Sequence, residues 1–423
     1  MSTVAVIGAG YVGLTTAATL AQLGHKVTCA DIDADRIEML CRAEVPIVED
    51  GLEELVKRHL GTGRLSFVLG PAKAVPDREF VFLCVPTPQR EDGSADMSYI
   101  ESAASEIGPA VAHDAVVINK STVPVGSTLV VEAALRRSDV SVVSNPEFLR
   151  EGTAVHDSQH PDRIVIGSEN QAAAIRVASL FRGIEAPLIF TDPASAETIK
   201  YASNAFLATK ISFINAVANL CEAVGADVRE VILGLGYDGR IGFEFLTPGP
   251  GWGGSCLPKD TAALIRIGED NGYDFALLRG VVEVNDEQYS RITGKVVAAA
   301  GGSVEGRTVA AWGLTFKAHT DDRRGSPALE IIRQIAAKGA TVRAYDPTVK
   351  EPIDGISICH DPYSACEGAS VLVVLTEWEE FRWLDFRKVR DLMEVPAMVD
   401  ARNLLDPTAV RRAGFSYSGL GRS

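Results

Sequence analysis

Six residues, Gly8-Ala9-Gly10-Tyr11-Val12-Gly13, constrain this chain more than any other feature, because of what flanks them. Ahead of them the run Thr3–Gly8 is continuously apolar, as expected of a strand buried on both faces of a parallel sheet. Leu14–Leu23 then reads as a helix and His25–Ala30 as a second strand. Glycines in such a strand–helix turn allow a tight bend, let a pyrophosphate approach the backbone, and let the helix pack closely on the strand. Asp31 follows Gly13 by 18 residues, at the end of the second strand, where a carboxylate can take ribose hydroxyls. A glycine turn of purely structural use has no need of that acid. Thr3–Asp33 is therefore read as a holder for a dinucleotide. Asp31 would repel a 2′-phosphate, which favours NAD over NADP, and Arg36 works slightly against that preference.

The remaining bulk properties narrow the class. A length of 423 residues suits two or three domains. The formal charge of −15 argues against general nucleic-acid binding, so an anionic ligand must meet local cations. No apolar run approaches the roughly 18 residues expected of a membrane helix, and no membrane role is expected. The amino terminus enters a strand directly, without the basic and apolar regions of an export signal, which makes a cytoplasmic enzyme the expectation. The seven cysteines (29, 41, 84, 221, 256, 359 and 366) form no CxxC pair, so no metal site is expected and most read as buried thiols.

Further strands are predicted at Phe80–Val85, Ala115–Asn119, Val140–Ser144 and Arg163–Ile166. From Asp192, a predicted N-cap with Pro193 in the first turn, one long helical pattern begins. Its apolar stripe is Ile199, Ala202, Phe206, Phe213, Val217, Leu220 and Val224, and Gly225 offers a stop. More helices are predicted at Val228–Gly234, Lys259–Ile267 and about Leu277–Ala300. After Gly301-Gly302 strands return at Thr308–Gly313, Thr341–Tyr345, Val371–Leu375 and Ala397–Val399. KVTCADID matches TVRAYDP in place, and EFVFLCVPTP matches SVLVVLTEW. The expected fold is α/β: two Rossmann-like doubly wound domains, 1–192 and 301–423, joined by a helical connector, 193–300. The second lacks the glycine fingerprint, which implies a different ligand.

Four further groups carry possible chemistry. In GWGGSCLPKD (251–260) glycines leave Cys256 approachable and Lys259 would favour its thiolate, whereas a lone cysteine is ordinarily structural. Lys200 and Asn204, four apart on one helix face, either hold an oxyanion or form a solvated edge. Lys120-Ser121-Thr122 and the run Asn145–Glu151 follow strands at the ends where open α/β sheets bind ligands, though turn chemistry alone would also explain them. Lys317, Arg324 and Arg402 follow strands of the second unit; ordinary ion pairing with Asp321 and Asp322 competes with a role in holding a diphosphate.

Taken in order, GAGYVG at 8–13, KSTVPVG at 120–126, NPEFLREG at 145–152, Lys200 with Asn204, DGRIG at 238–242, GGSCLPKD at 253–260, FKAHTDDRRGSP at 316–327 and DARNLL at 400–405 resemble the UDP-glucose 6-dehydrogenase family, within the wider UDP-glucose/GDP-mannose dehydrogenases. The resemblance spans nearly the whole chain. It implies two Rossmann-like domains, a long helix that also forms a homodimer, and four-electron oxidation of a nucleotide sugar's C6 alcohol to a carboxylate with two NAD. In that scheme Cys256 is the nucleophile of a thiohemiacetal and then a thioester.

By motif position, the resemblance gives Lys200 and Asn204 the oxyanion. Asp260 with Thr122 positions water or a proton acceptor, and Glu147 serves as general base. Cofactor contacts fall on Gly8, Gly10, Tyr11, Val12, Gly13, Asp31, Arg36, Thr122, Glu151, Lys259 and Arg324. Nucleotide-sugar contacts fall on Glu147, Phe148, Leu149, Arg150, Glu151, Lys200, Asn204, Phe245, Leu246, Thr247, Pro248, Gly249, Gly253, Lys317 and Arg402, with Arg240 reaching in from a partner subunit. Two positions depart from the pattern: Gly325, where relatives often carry an acidic residue, and Thr247, where some carry lysine. The alternatives are a dTDP-glucose or GDP-mannose 6-dehydrogenase, a β-hydroxyacid dehydrogenase, which needs no GGSCLPKD, and a non-catalytic NAD sensor, which needs no Cys256.

Overall fold

The computed structural model describes residues 1–90 and 92–422. The chain divides into two compact units, Met1–Ser203 with Ala262–Asn271, and Asn204–Thr261 with the residues from Gly272 onward.

The first unit is built on eight strands: β1 (Thr3–Ile7), β2 (Lys26–Asp31), β3 (Leu65–Leu69), β4 (Phe80–Leu83), β5 (Val116–Asn119), β6 (Ser141–Ser144), β7 (Ile164–Gly167) and β8 (Leu188–Thr191). Their order is β3-β2-β1-β4-β5-β6-β7-β8, parallel except where β6 meets β7. Alternate strand residues feed two cores. Val4, Val6, Phe82, Val116 and Ile118 pack on one face, and Ala5, Ile7, Val81, Leu83 and Val117 on the other. A sheet covered on both faces explains why β1, β4 and β5 read as unbroken apolar runs.

The second unit repeats the plan with β9 (Thr308–Trp312), β10 (Thr341–Tyr345), β11 (Ile356–Ile358), β12 (Val371–Val374), β13 (Ala397–Asp400) and β14 (Ser416–Ser418). They form an all-parallel sheet of order β11-β10-β9-β12-β13-β14. Both sheets therefore reverse direction beside their first strand, between β1 and β4 and between β9 and β12, the place where such sheets bind ligands. Each crevice is lined by a left-handed glycine. At Gly8 (φ +100) an added Cβ would lie 2.5 Å from the Cys84 carbonyl oxygen, and at Gly313 (φ +94) it would lie 2.5 Å from the Thr376 nitrogen.

Four strands, β3, β8, β11 and β14, are absent from the sequence-based prediction. All four lie at sheet edges, and β11 and β14 have three residues each. β3 and β8 expose residues along their length, so neither carries the continuous apolar signal of an interior strand.

Between the sheets in sequence, residues run through the helices Pro193–Val224, Val228–Gly236, Leu257–Asp270 and Ala276–Ala299. Asp192 caps the first of these by accepting from the Ser195 amide at 2.8 Å, and Gly225 (φ +75) ends it. The predicted apolar stripe on this helix is not the face it buries. Phe206, Phe213, Leu220 and Val224 are 53% to 67% exposed, while Ala208, Ile214, Ala218 and Cys221 are buried. The helix thus has two apolar faces, and the bulkier side chains are on the outer one. One expectation about membrane segments also needs correction: this helix is long and apolar enough, by composition, to cross a bilayer. Its inner face nevertheless carries Glu197, Lys200, Asn204, Ser212 and Asn215, all buried and all bonded within the protein.

The glycine geometry yields a test. Gly8→Ala should cost at least about 1–3 kcal/mol, from positive φ and backbone overlap. Gly10→Ala, whose Cβ would meet nothing within 4 Å, should melt like the wild type. Thermal melting of the two variants checks this.

Candidate active site

The turn after β1 is fixed by its own acid. Asp31, buried at the end of β2, accepts the Ala9 amide at 2.7 Å on one oxygen and the Asp33 amide at 3.0 Å on the other. Arg36 reaches the same carboxylate at 3.4 Å. The helix Tyr11–Gln22 starts at Gly10 with no side-chain cap and no acidic residue in its first turn. Its amide groups therefore present an uncompensated positive end, suited to an anion. An added Cβ at Gly13 would fall 1.8 Å from the Gly8 carbonyl oxygen, and Gly10 opens onto free space. Close packing below and open space above fit a pyrophosphate lying on this turn.

Tyr11 links that turn to the run Asn145–Glu151. Its hydroxyl donates to the Glu49 carboxylate, and the Gly152 amide donates to both, at 2.8 Å to the tyrosine oxygen and 2.7 Å to Glu49. Burial and the Glu49 charge hold the Tyr11 phenol far above its ordinary range. Glu49 is absent from the sequence-based assignment; nothing in its local pattern marks it, since its partners lie 38 and 103 residues away.

Within the same unit Glu147 is buried and takes the Lys200 ammonium at 2.8 Å, with both side chains no more than 6% exposed. The Leu149 amide donates to its second oxygen at 2.6 Å. Burial alone would raise the carboxyl, but Lys200, that amide and nearby Lys120 bring it below the ordinary range. Phe148 lies under the Arg163 guanidinium, 3.6 Å from the ring centre. Arg150 is paired with Asp157 at 2.7 Å, Leu149 and Glu151 are partly exposed, and the Thr122 carbonyl accepts from the Thr87 hydroxyl at 2.8 Å.

In the second unit Cys256, half-buried, immediately precedes the helix Leu257–Asp270 and starts its ladder by accepting the Asp260 amide at 2.9 Å. A sulfur at a helix N-terminus is favoured as the thiolate. The Ser255 hydroxyl is 3.5 Å from it. Asp260, fully buried, is gripped by Lys259 at 2.6 Å and by the Asn204 amide nitrogen at 2.5 Å. The Lys259 charge thus bears on Asp260 rather than on the sulfur alone. Lys200 is one turn before Asn204 on their shared helix.

Buried amides hold the backbone leading to Cys256. Asn215 accepts the Gly249 amide at 2.8 Å and Gln288 donates to the Gly249 carbonyl at 2.9 Å. Asn285 accepts the Trp252 amide at 2.8 Å, and the Trp252 indole donates to Ser212 at 2.8 Å. At Gly253 an added Cβ would fall 2.0 Å from the Gly325 carbonyl oxygen, and the Gly254 amide donates to the Arg324 carbonyl at 3.0 Å. Gly325 has φ +55, a backbone reason for glycine at this place.

Of the second unit's cations, Arg402 donates to the Leu375 and Phe316 carbonyls at 2.9 and 2.8 Å, and its guanidinium lies against Gly249. Lys317 stands 5.5 Å from the Phe316 ring. Arg324 forms a two-point pair with Asp322, the ion pairing that competes with a ligand role, and exposed Arg240 forms one with Asp238. Pro248 is buried, Phe245 adopts φ +62, and Thr247 is exposed. Leu246 is engaged in a core cluster with Ile214, Ala218 and Val228, so only its backbone can face a ligand. Among the described residues no group of His, Cys, Asp and Glu could hold a metal.

Comparison with known proteins gives the family. The UDP-glucose/GDP-mannose dehydrogenase family matches through its NAD binding domain at residues 2–185, its central domain at 194–287 and its UDP binding domain at 310–407. The chain belongs to this family. It is 45% identical over 433 residues to a UDP-glucose 6-dehydrogenase of Rhizobium meliloti, covering 99% of both. It is 43% identical to the UDP-glucose 6-dehydrogenase TuaD of Bacillus subtilis, covering 100% of this chain and 94% of that one. Its fold superposes on a UDP-glucose dehydrogenase from Pyrobaculum islandicum with a TM-score of 0.93 at 36% identity, over 100% and 98% of the two chains. It is an oxidoreductase with an NAD-type cofactor and a nucleotide-sugar substrate.

The Glu147–Lys200 pair sets a pH-dependent expectation. The folded carboxyl lies below its unfolded value, so the pair stabilises fully above about pH 4.3 and fades as pH falls through the folded value. Lys200→Met should cost about 3 kcal/mol at neutral pH, because it removes the bonded partner of a buried carboxylate and leaves Lys120 as the nearby cation. The loss should shrink towards about pH 5, where Glu147 can take a proton instead. Melting temperatures of both proteins across that range measure it.

Proposed function

We propose that this protein oxidises UDP-glucose to UDP-glucuronate with two NAD, holding the half-oxidised sugar on Cys256. One observation carries the reading: a cysteine at a helix N-terminus, one turn before an Asp260 bonded to Asn204, in a chain that also has a dinucleotide turn. A single alcohol-to-aldehyde oxidation has no use for that sulfur. The relatives named UDP-glucose 6-dehydrogenase, aligned over almost the full chain, support the choice of base and sugar over GDP-mannose or dTDP-glucose. They also support the division of labour among residues 1–192, 193–300 and 301–423.

NAD, when bound, would supply the hydride acceptor for each of the two oxidations. The turn Gly8–Gly13 would hold its diphosphate and Asp31 its ribose, with Arg36, Thr122, Glu151, Lys259 and Arg324 as its further contacts. The C6 hydroxyl first gives its proton to the water placed by Asp260 and Thr122 as hydride leaves, giving an aldehyde. Cys256 adds to that carbon through sulfur to give a thiohemiacetal, whose oxygen Lys200 and Asn204 steady. Loss of the second hydride gives a thioester. Water, placed by Asp260 and Thr122 and deprotonated by Glu147, cleaves the carbon–sulfur bond and frees the carboxylate and the thiol. Lys317 and Arg402 meet the diphosphate, and the segments Phe148–Glu151 and Phe245–Gly249 with Gly253 receive the nucleoside and sugar.

The protein works as a homodimer in this reading. Phe206, Phe213 and Leu220 recur every seven residues on the exposed face of one long helix, the spacing of a helix–helix seam. A second copy of the same helix suits that apolar face, and Arg240 then contributes to the neighbouring subunit's substrate.

Counting NADH per UDP-glucose tests the chemistry, with two expected; one would leave a single-step alcohol oxidation. Cys256→Ser should lose carboxylate formation by at least about a thousandfold while titrating NAD and UDP-glucose normally. Phe213→Glu should halve the mass measured by light scattering and weaken UDP-glucose binding. A monomer with unchanged kinetics would remove the role of Arg240.

A further inference from the structure

Glu147 faces two lysines, and the second has no part in the scheme above. Lys120 is the first residue after β5 and Asn145 the first after β6, and the register of Asn119 with Ser144 sets the two side by side. The Lys120 ammonium donates to the Asn145 side-chain oxygen at 3.1 Å, and the Asn145 amide nitrogen donates to the Val165 carbonyl at 2.7 Å. Both residues are buried. The second bond orients the amide so that its oxygen must point at Lys120.

An amide oxygen satisfies one N–H but offsets no charge, and a buried ammonium without a counter-ion costs several kcal/mol. The titratable groups facing Lys120 are Glu147, the Cys84 thiol beyond β4, and Lys200 of the long helix. Burial pushes the Cys84 thiol up to about 12, so it stays neutral. Glu147 is thus the anion that faces Lys120. Its own neighbours are the same groups together with the Leu149 amide.

We propose that Lys120 is a positioning residue for Glu147: clamped by Asn145, it keeps a positive charge on that carboxylate when Lys200 is drawn to the substrate oxygen. The proposal rests on Glu147 being the base for thioester cleavage and Lys200 the oxyanion partner. Lys200 has two duties in that scheme, and each time it turns to the sugar oxygen it leaves a buried carboxylate that would take a proton and cease to be a base. Lys120 cannot follow, because Asn145 is fixed between it and Val165. It therefore stays with Glu147 through both oxidations.

The test is the pH profile of kcat together with the mass of the working enzyme. Lys120→Met should move the acid limb up by about one pH unit or more, and restore kcat to within about threefold of wild type on the alkaline side. Below the limb, intact-protein mass spectrometry during turnover should find the Cys256 thioester accumulating. Asn145→Asp retains Lys120 but supplies it with its own anion, and should move the limb the same way, even should Lys120→Met fail to fold. An unmoved acid limb in a folded variant, or a loss equal at every pH, would overturn the proposal. Failure of the underlying reading would be seen in the wild type itself, as one NADH per sugar or as no Cys256 adduct under any condition, and the proposal would fall with it.

Discussion

Both halves of this protein depend on one close approach between backbones. In each sheet the first strand ends in a left-handed glycine pressed against the end of the next strand across the reversal: Gly8 against Cys84, Gly313 against Thr376. A side chain at either place would wedge the strands apart where the sheet order reverses, and the crevice that receives a ligand would be filled by protein. Strand order, the start of the helix Tyr11–Gln22 and the placement of Asp31 all follow from that contact. Repetition of the contact, in units without a shared fingerprint, marks the second sheet as a variation on the first.

What differs between the halves is the use of the acid. Asp31 and Asp346 each close the second strand and accept amides from the turn after the first. Asp31 accepts one amide there, from Ala9, and meets Arg36. Asp346 accepts from the Leu314 and Thr315 amides, the Thr315 hydroxyl and the Trp378 indole on one oxygen, and from Thr348 on the other. An acid so fully bonded and buried has no lone pair to offer a ribose.

Much of this was legible from residue order, and the reason varies by element. Interior strands such as β1, β4 and β9 are apolar on both sides and announce themselves; β8 is an edge strand with exposed Leu188, Ile189 and Phe190 and does not. GGSCLPKD stands out because glycines, a cysteine and a charged pair rarely coincide. The amides that hold it, Asn215, Asn285 and Gln288, are 33 to 39 residues from their backbone partners, and nothing local distinguishes them from ordinary helix polar residues. Glu49 escapes notice for the same reason. The stripe on the helix Pro193–Val224 misled because periodicity reveals that an apolar face exists, not whether this chain or another covers it.

That helix carries a conflict that explains its composition. Burying Glu197, Lys200, Asn204, Ser212 and Asn215 along one face is costly unless every group finds a partner. Glu197 finds Gly126 and Thr128, Lys200 finds Glu147, Asn204 finds Asp260, and the Asn215 oxygen finds the Gly249 amide while its nitrogen stays unpartnered. Each bond reaches a loop that carries proposed cofactor or substrate contacts. A helix built only for packing would place leucine at these positions and be more stable. Within the first unit Glu197 and Lys200 hold the segments 119–128 and 145–152, and within the second Asn204 and Asn215 hold the segment 247–260. The large apolar side chains are displaced to the opposite face, which is why Phe206, Phe213 and Leu220 stand exposed.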